Sequence, residues 1–422
     1  MDTRHTRGRW HGLGVVLAVA ALSLAAGCSS DSADSGGDTA PSPSVSLDIA
    51  TTPMSDADAA AVDEAVLGVL GSSDLAELAP GTWVGVWDPQ RGFFEKAYGD
   101  ATLDGEQASL DQHLRIGSVT KTFTATAILL LVDQGKIALD DTVEDLLPEV
   151  ASSYPAYATV TVEQLLGMES GVPDYLNALP PDGLIPALTE DPTRLFTVDE
   201  ILTAATSGRV EDPGTFGYSS TNFVVLEEIV NAVSGTTLQD FIADEVTGPL
   251  GMTDTALQPY EERVMPEPYA HGYATGSADP ADLTSGCLGE FALTGGEVAE
   301  DADLSEYTQS LTRGAGGIYS TVGDLGIWAS SMSGTTLLSE DLQAKRLAIT
   351  PDVYPPYGLG IMQVENYLGH EGDAFGYQAY ALKDPDTGTS VVVMNNTCAN
   401  STLMDEIIAA LPTGAAASPA TS

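Results

Sequence analysis

The 422-residue sequence predicts an α+β fold, an antiparallel β-sheet flanked by helices with an inserted, mostly helical part. Two observations carry this prediction. Strand-like segments cluster toward both ends of the chain, and leucine-rich helical segments fill the middle. With 43% hydrophobic residues, 18% charged residues and 43 glycines, the chain can bury a large core and reads as globular rather than disordered or fibrous. A sheet built from both ends of a sequence leaves a seam where the helical part enters, and a site is expected there.

The N-terminal 27 residues stand apart from the fold. Arg4, Arg7 and Arg9 precede an apolar run from Leu13 to Ala26. That run is short for a permanent span and reads as a signal peptide. It ends in Leu24-Ala25-Ala26-Gly27-Cys28, which resembles a bacterial lipobox with Cys28 as the lipidated residue. The alternative is ordinary cleavage after a small residue, with Cys28 incidental. Residues 28–55 are Ser, Asp, Gly, Pro, Ala and Thr with few large apolar side chains, the composition of a flexible tether. No later segment reaches about 18 apolar residues, so no second span is expected. The expected location is the extracytoplasmic face of the cell membrane, lipid-anchored, or else secreted. The formal net charge of −46 becomes more acidic once the three arginines and Asp2 are removed. So acidic a surface argues against nucleic acid and anionic headgroups as partners.

The folded part is expected over 56–411, its sheet portion at about 56–115 and 295–411 and its helical portion at about 119–290. Ser55, Asp58 and an Ala/Val/Leu-periodic run to Leu70 predict a capped amphipathic helix. Thr82–Trp87, a turn at Asp88–Gly92 and Phe93–Tyr98 predict two strands. Strand-like pieces return at 316–320, 357–364, 377–382 and 390–394, and a helix at about 402–411 closes the domain. Residues 412–422 form a loose tail. Cys287 and Cys398 could pair in an oxidising compartment or stay free, and their spacing does not decide.

Chemistry is suggested by Ile116-Gly117-Ser118-Val119-Thr120-Lys121, an S-x-x-K at the start of a helix expected to stop at Gly135. At i and i+3 the hydroxyl and the amine share one face. The partial positive charge of a helix N-terminus favours an alkoxide-like oxygen, and free N–H groups there can hold an oxyanion. A desolvated Lys121 can accept a proton. Alone, the tetrad is weak.

Two further segments accompany it, Gly217-Tyr218-Ser219-Ser220 and Leu368-Gly369-His370-Glu371-Gly372-Asp373. Together the three resemble the family that joins class C β-lactamases, secreted serine DD-carboxypeptidases and related esterases. Supporting stretches include Thr161–Leu166, Ser170–Pro173, Pro249–Thr255, Gly316–Thr321 and Tyr357–Gly360. The resemblance implies a β-lactamase/transpeptidase-like fold in which Ser118 forms an acyl-enzyme. It implies that Tyr218, as a phenolate beside Lys121, accepts and returns the proton. His370 would open the H-x-G strand, Gly372 would let substrate lie against the backbone, and the N–H groups of Ser118 and Asp373 would form the oxyanion hole. No cofactor and no metal ion is expected. The implied partners are peptide or ester substrates, among them peptidoglycan stem peptides and β-lactams.

The sequence departs from the family pattern at two places. Ser220 stands where Y-x-N carries asparagine, so support for a substrate amide is weaker. Glu371 and Asp373 flank Gly372 where hydroxyl residues are usual. If both acids face the site, they repel a substrate carboxylate. A D-Ala-D-Ala carboxypeptidase-like enzyme is the first reading. An esterase, amidase or D-aminopeptidase on a neutral or cationic substrate is the second, and a weakly catalytic penicillin-binding protein the third.

Overall fold

The computed structural model describes residues 47, 49–72, 79–178, 182–274, 299, 301–397 and 402–412, all within one compact unit, residues 42–422. The expected signal peptide, Cys28, residues 28–46 and 48 of the expected tether, Cys287, Cys398 and the tail beyond 412 lie outside the described residues.

Local rules start the fold as expected. Helix α1 (Asp56–Leu70) is capped by Ser55, whose side chain accepts the Asp58 N–H at 3.2 Å. The cap satisfies one of the unpaired donors at the helix start. Strands β1 (Gly81–Asp88) and β2 (Gly92–Gly99) form an antiparallel hairpin. Asp88 closes its turn by accepting the N–H groups of Gln90 at 2.8 Å and Arg91 at 2.9 Å. Residues assigned to the tether also join the fold. Phe93 N–H donates to Thr52 O at 2.9 Å and Met54 N–H to Phe93 O at 2.8 Å. Buried Met54, with Leu47 and Ile49 packed on the core, supplies apolar contact that average composition concealed.

Three short strands, β3 (Leu114–Arg115), β4 (Ala256–Leu257) and β7 (Ile318–Ser320), make a small sheet in the order β3-β7-β4. Strands β5 (Tyr273–Ala274) and β6 (Ala302–Asp303) pair with each other. The main sheet is completed by β8 (Met362–Val364), β9 (Tyr367–Ala374), β10 (Tyr377–Lys383) and β11 (Ser390–Asn395). Its order is β2-β1-β11-β10-β9-β8, antiparallel throughout. β4 and β5 fall in the stretch expected to be helical. Strand β9 escapes a period-two reading because Gly369 and Gly372 occupy both of its faces.

Alternation sends successive side chains of the sheet to opposite layers. Val84, Val86, Tyr380, Leu382, Val391 and Val393 pack against Val62 and Val66 of α1 and against Met404 and Ile407 of the C-terminal helix Thr402–Ala410. Trp83, Trp87, Ala379, Ala381, Val392 and Met394 join the larger core on the other face. That core contains α2 (Thr120–Asp133), buried at every position from Thr120 to Leu131 although its first half alternates threonine with Lys121 and apolar residues. Its threonines are satisfied internally, Thr122 Oγ1 accepting from Trp328 Nε1 at 2.7 Å and Thr126 Oγ1 donating to Thr122 O at 2.8 Å. Among the described residues, no helix is long and apolar enough to cross a membrane.

Candidate active site

Ser118 sits in a single 3-10 turn, Gly117–Val119, that leads directly into α2. The three-residue spacing of that turn lays Lys121 over Ser118. Lys121 is 1% exposed, and its Nζ donates to Ser118 Oγ at 2.8 Å and to the Ala315 carbonyl at 3.0 Å. Ala315 belongs to the short helix Arg313–Gly316. The Nζ also lies 5.0 Å from the centroid of the Tyr218 ring and 5.8 Å from that of Phe223, within cation–π range.

Tyr218 and Ser220 come from the entrance of α3 (Ser220–Ser234). Asp174 anchors this entrance by accepting the Ser220 N–H at 2.8 Å. Tyr218 meets Tyr357 edge to face at 6.1 Å and lies 6.3 Å from the His370 ring. The structure brings Ser118, Lys121, Tyr218 and His370, all expected from the sequence to share a site, around one point. The sequence does not identify Tyr357, whose hydroxyl bonds His370 Nε2 at 3.0 Å. Its only signal is its membership in the Tyr357–Gly360 stretch.

Electrostatics revise the expectation for Tyr218 and set the state of His370. Burial drives the Tyr218 phenol well above the usual tyrosine range, and the nearby Tyr357 adds to this, while hydrogen bonding with Ser118 pulls the other way. Tyr218 is a phenol at rest, not the phenolate expected above, because the apolar surroundings disfavour the charged form. His370 is fully buried and pressed down to about 3, first by burial and then by the positive charge of Lys121. Its Nδ1 bonds the Glu371 carbonyl. A carbonyl can only accept, so Nδ1 carries the proton, Nε2 is the acceptor and Tyr357 donates to it.

Strand β9 approaches the nucleophile with its backbone. An ideal Cβ on Gly372 would lie 2.0 Å from Ile116 O and 2.8 Å from Ser118 N. One on Gly117, whose φ is +49°, would lie 2.3 Å from Asp373 O and 2.8 Å from Asp373 N. Both glycines are required for this contact, and it draws the peptide groups of Ser118 and Asp373 together.

The two acids, in contrast, do not line the site through their side chains. Tyr380 donates to Glu371 Oε2 at 3.1 Å and lies 3.0 Å from Asp405 Oδ1 on the C-terminal helix. Gln378 Nε2 donates to Asp373 Oδ1 at 2.7 Å. Glu371 and Asp373 have the parity of Tyr367 in β9, so the pleat directs them to the layer of α1, opposite His370. This corrects the expectation that they bracket the cleft. A cation stands elsewhere: Arg209 lines a pocket of about 120 Å³ beside Tyr218 and Phe216, paired with Glu211 at 3.1 Å. Among the described residues, no group of three or more His, Cys, Asp or Glu could hold a metal ion.

Comparison with known proteins agrees with this architecture. The chain is 34% identical over 163 residues to penicillin-binding protein 4* of Bacillus subtilis (strain 168), covering 37% of this chain and 34% of that one. It is 26% identical over 315 residues to the unguisins hydrolase ungD' of Aspergillus campestris, covering 72% and 56%. The chain thus spans from about a third to just over half the length of these curated relatives. A D-stereospecific amidohydrolase from Streptomyces sp. superimposes with a TM-score of 0.70 at 25% identity, over 85% of this chain and 100% of that one. The model of the Beta-lactamase family matches residues 74–409, and the chain belongs to that family of serine hydrolases.

Proposed function

We propose that this chain is an exported serine hydrolase that works through an acyl-enzyme on Ser118, most plainly as a D-alanyl-D-alanine carboxypeptidase-like enzyme on cell-wall peptides. The observation that carries the reading is the 2.8 Å bond between Lys121 Nζ and Ser118 Oγ, inside hydrogen-bond reach for proton transfer. In the proposed reaction, loss of one proton from the Lys121–Tyr218 pair creates the base. Ser118 attacks the carbonyl as its proton passes to that pair, and the N–H groups of Ser118 and Asp373 hold the oxyanion. The phenol of Tyr218 then donates to the leaving nitrogen, and water repeats the sequence to release the acyl group. His370 orients the tyrosines as a neutral imidazole.

That neutrality favours a second reading. A neutral His370 offers a substrate carboxylate no positive charge, which suits an amidase or esterase acting on neutral substrates. The name of the Streptomyces relative, a D-stereospecific amidohydrolase, supports D-configured amides as the class.

The test is covalent labelling with a fluorophosphonate and a tagged penicillin, followed by kcat/KM on a D-Ala-D-Ala peptide, a D-amino acid amide and a short-chain ester. Labelling lost in Ser118→Ala supports the nucleophile, and labelling at wild-type stoichiometry removes it. We further propose that Cys28 carries the lipid that holds the enzyme at the outer face of the membrane. Processing blocked by globomycin supports this, and a soluble mature form beginning after Cys28 refutes it.

A further inference from the structure

Glu227 is 3% exposed on α3, and nothing in the proposed reaction uses it. Its two oxygens are divided between distinct partners. Oε2 accepts the Gly314 N–H at 2.8 Å. Oε1 accepts from Arg313 Nη1 at 2.9 Å and from the Tyr260 hydroxyl at 2.7 Å. The turn so gripped is unusual, since Arg313 has φ +46° without being glycine, a conformation that costs energy and must be held by its surroundings. Two residues on, Ala315 supplies the carbonyl that accepts from Lys121 Nζ at 3.0 Å. A second tie comes from α2, where Thr124 Oγ1 donates to Gly314 O at 2.7 Å.

We propose that Glu227 is a positioning residue for the nucleophile's proton acceptor, acting through the Arg313–Gly316 turn to hold the Ala315 carbonyl on Lys121. The argument rests on direction and charge. A carbonyl aimed at Nζ stabilises the ammonium form and helps to hold the amine against Ser118 Oγ. A carboxylate is needed at 227 because all three of its partners are donors. Glutamine there must turn its NH₂ toward one of them, leaving two donors face to face in a buried site. The turn then relaxes and the carbonyl leaves Lys121. The titratable groups facing Lys121 among the described residues include Tyr218 and His370, with Tyr357 behind them, and the carboxylates of Asp174 and Glu371 act on Tyr218.

This inference rests on the proposed role of Lys121, and the experiment separates the two. The second-order rate of fluorophosphonate labelling is measured against pH for wild type, Glu227→Gln and Tyr260→Phe, with the melting temperature of each. An unlabelled wild type refutes the serine-hydrolase reading itself. With wild type labelled, Glu227→Gln should label about ten- to a hundredfold more slowly, and the midpoint of its rising limb should fall by about one pH unit. Tyr260→Phe leaves the Gly314 and Arg313 bonds in place and should lower the melting temperature without moving the midpoint. A folded Glu227→Gln enzyme with the wild-type midpoint overturns the proposal, whatever its melting temperature. Should that variant fail to fold, near-isosteric Thr124→Val loosens the same turn from its other side. A shift of its midpoint in the same direction supports the proposal, and an unmoved midpoint overturns it.

Discussion

Consider alanine in place of Gly372. Its Cβ would lie 2.0 Å from Ile116 O, 2.8 Å from Ser118 N and 2.9 Å from Val119 N, where real Cβ contacts essentially never fall below 3.0 Å. All three neighbours are backbone atoms, so no side chain can swing aside. Strand β9 and the Gly117–Val119 turn must separate by about 1 Å, and a close-packed interior transmits that shift rather than absorbing it. Overpacking of this kind destabilises by about 1–3 kcal/mol. The larger effect should be catalytic, because a misplacement of about 1 Å costs on the order of 10²-fold in rate, or about 2.7 kcal/mol in the barrier. The assay is the pseudo-first-order rate of fluorophosphonate labelling, with turnover of a short-chain ester and a thermal melt alongside. Gly68→Ala is the control. It lies inside α1 with nothing within 4 Å of the added Cβ, so it should label normally and gain about 0.5–1 kcal/mol in stability. If Gly372→Ala labels within twofold of wild type at an unchanged melting temperature, the close approach of β9 to the nucleophile is wrong.

Tyr218→Phe and Lys121→Ala should each lower kcat/KM by roughly 10² to 10⁴, and the double variant by much less than the product; a near-normal Tyr218→Phe enzyme ends its role in proton transfer. Rate should rise with pH through the apparent pKa of the Lys121–Tyr218 pair, and a flat profile from pH 5 to 10 would contradict the need for proton loss. His370 is held down to about 3, so between about pH 6.5 and 3 the unfolded chain binds its proton and the folded one does not. Stability present above 6.5 is therefore lost as pH falls through that window, by on the order of a few kcal/mol. Burial raises the Glu371 pKa and acts in the opposite sense, so the readout is the difference in acid dependence between wild type and His370→Asn, and no difference refutes the buried neutral imidazole. Replacing Glu371 and Asp373 together by threonine should leave the peptide-to-ester ratio of kcat/KM unchanged at low and high salt. A ratio that rises at low salt would return those acids to the cleft.

Much of this protein is legible in its sequence because the relevant forces act over a few residues. The Ser55 cap, the Asp88 turn between two alternating strands, and the shared face of Ser118 and Lys121 follow from backbone geometry and hydrogen-bond reach alone. Likeness of motif then brought Tyr218 and His370 to the same centre. What the sequence could not supply were the partners joined across long loops. The order β2-β1-β11-β10-β9-β8 is settled by which faces find a common core, not by any single strand. Glu371 and Asp373 look like cleft residues because they flank Gly372, but the pleat of β9 and the tyrosine of the neighbouring strand decide their face. Tyr218 is a phenol and His370 a neutral imidazole because of burial, a property of the assembled core. Glu227 carries no motif, and the Tyr357–Gly360 stretch gives no role to Tyr357. Each acquires its place only when segments far apart in the chain pack together and a buried polar group must find its partner.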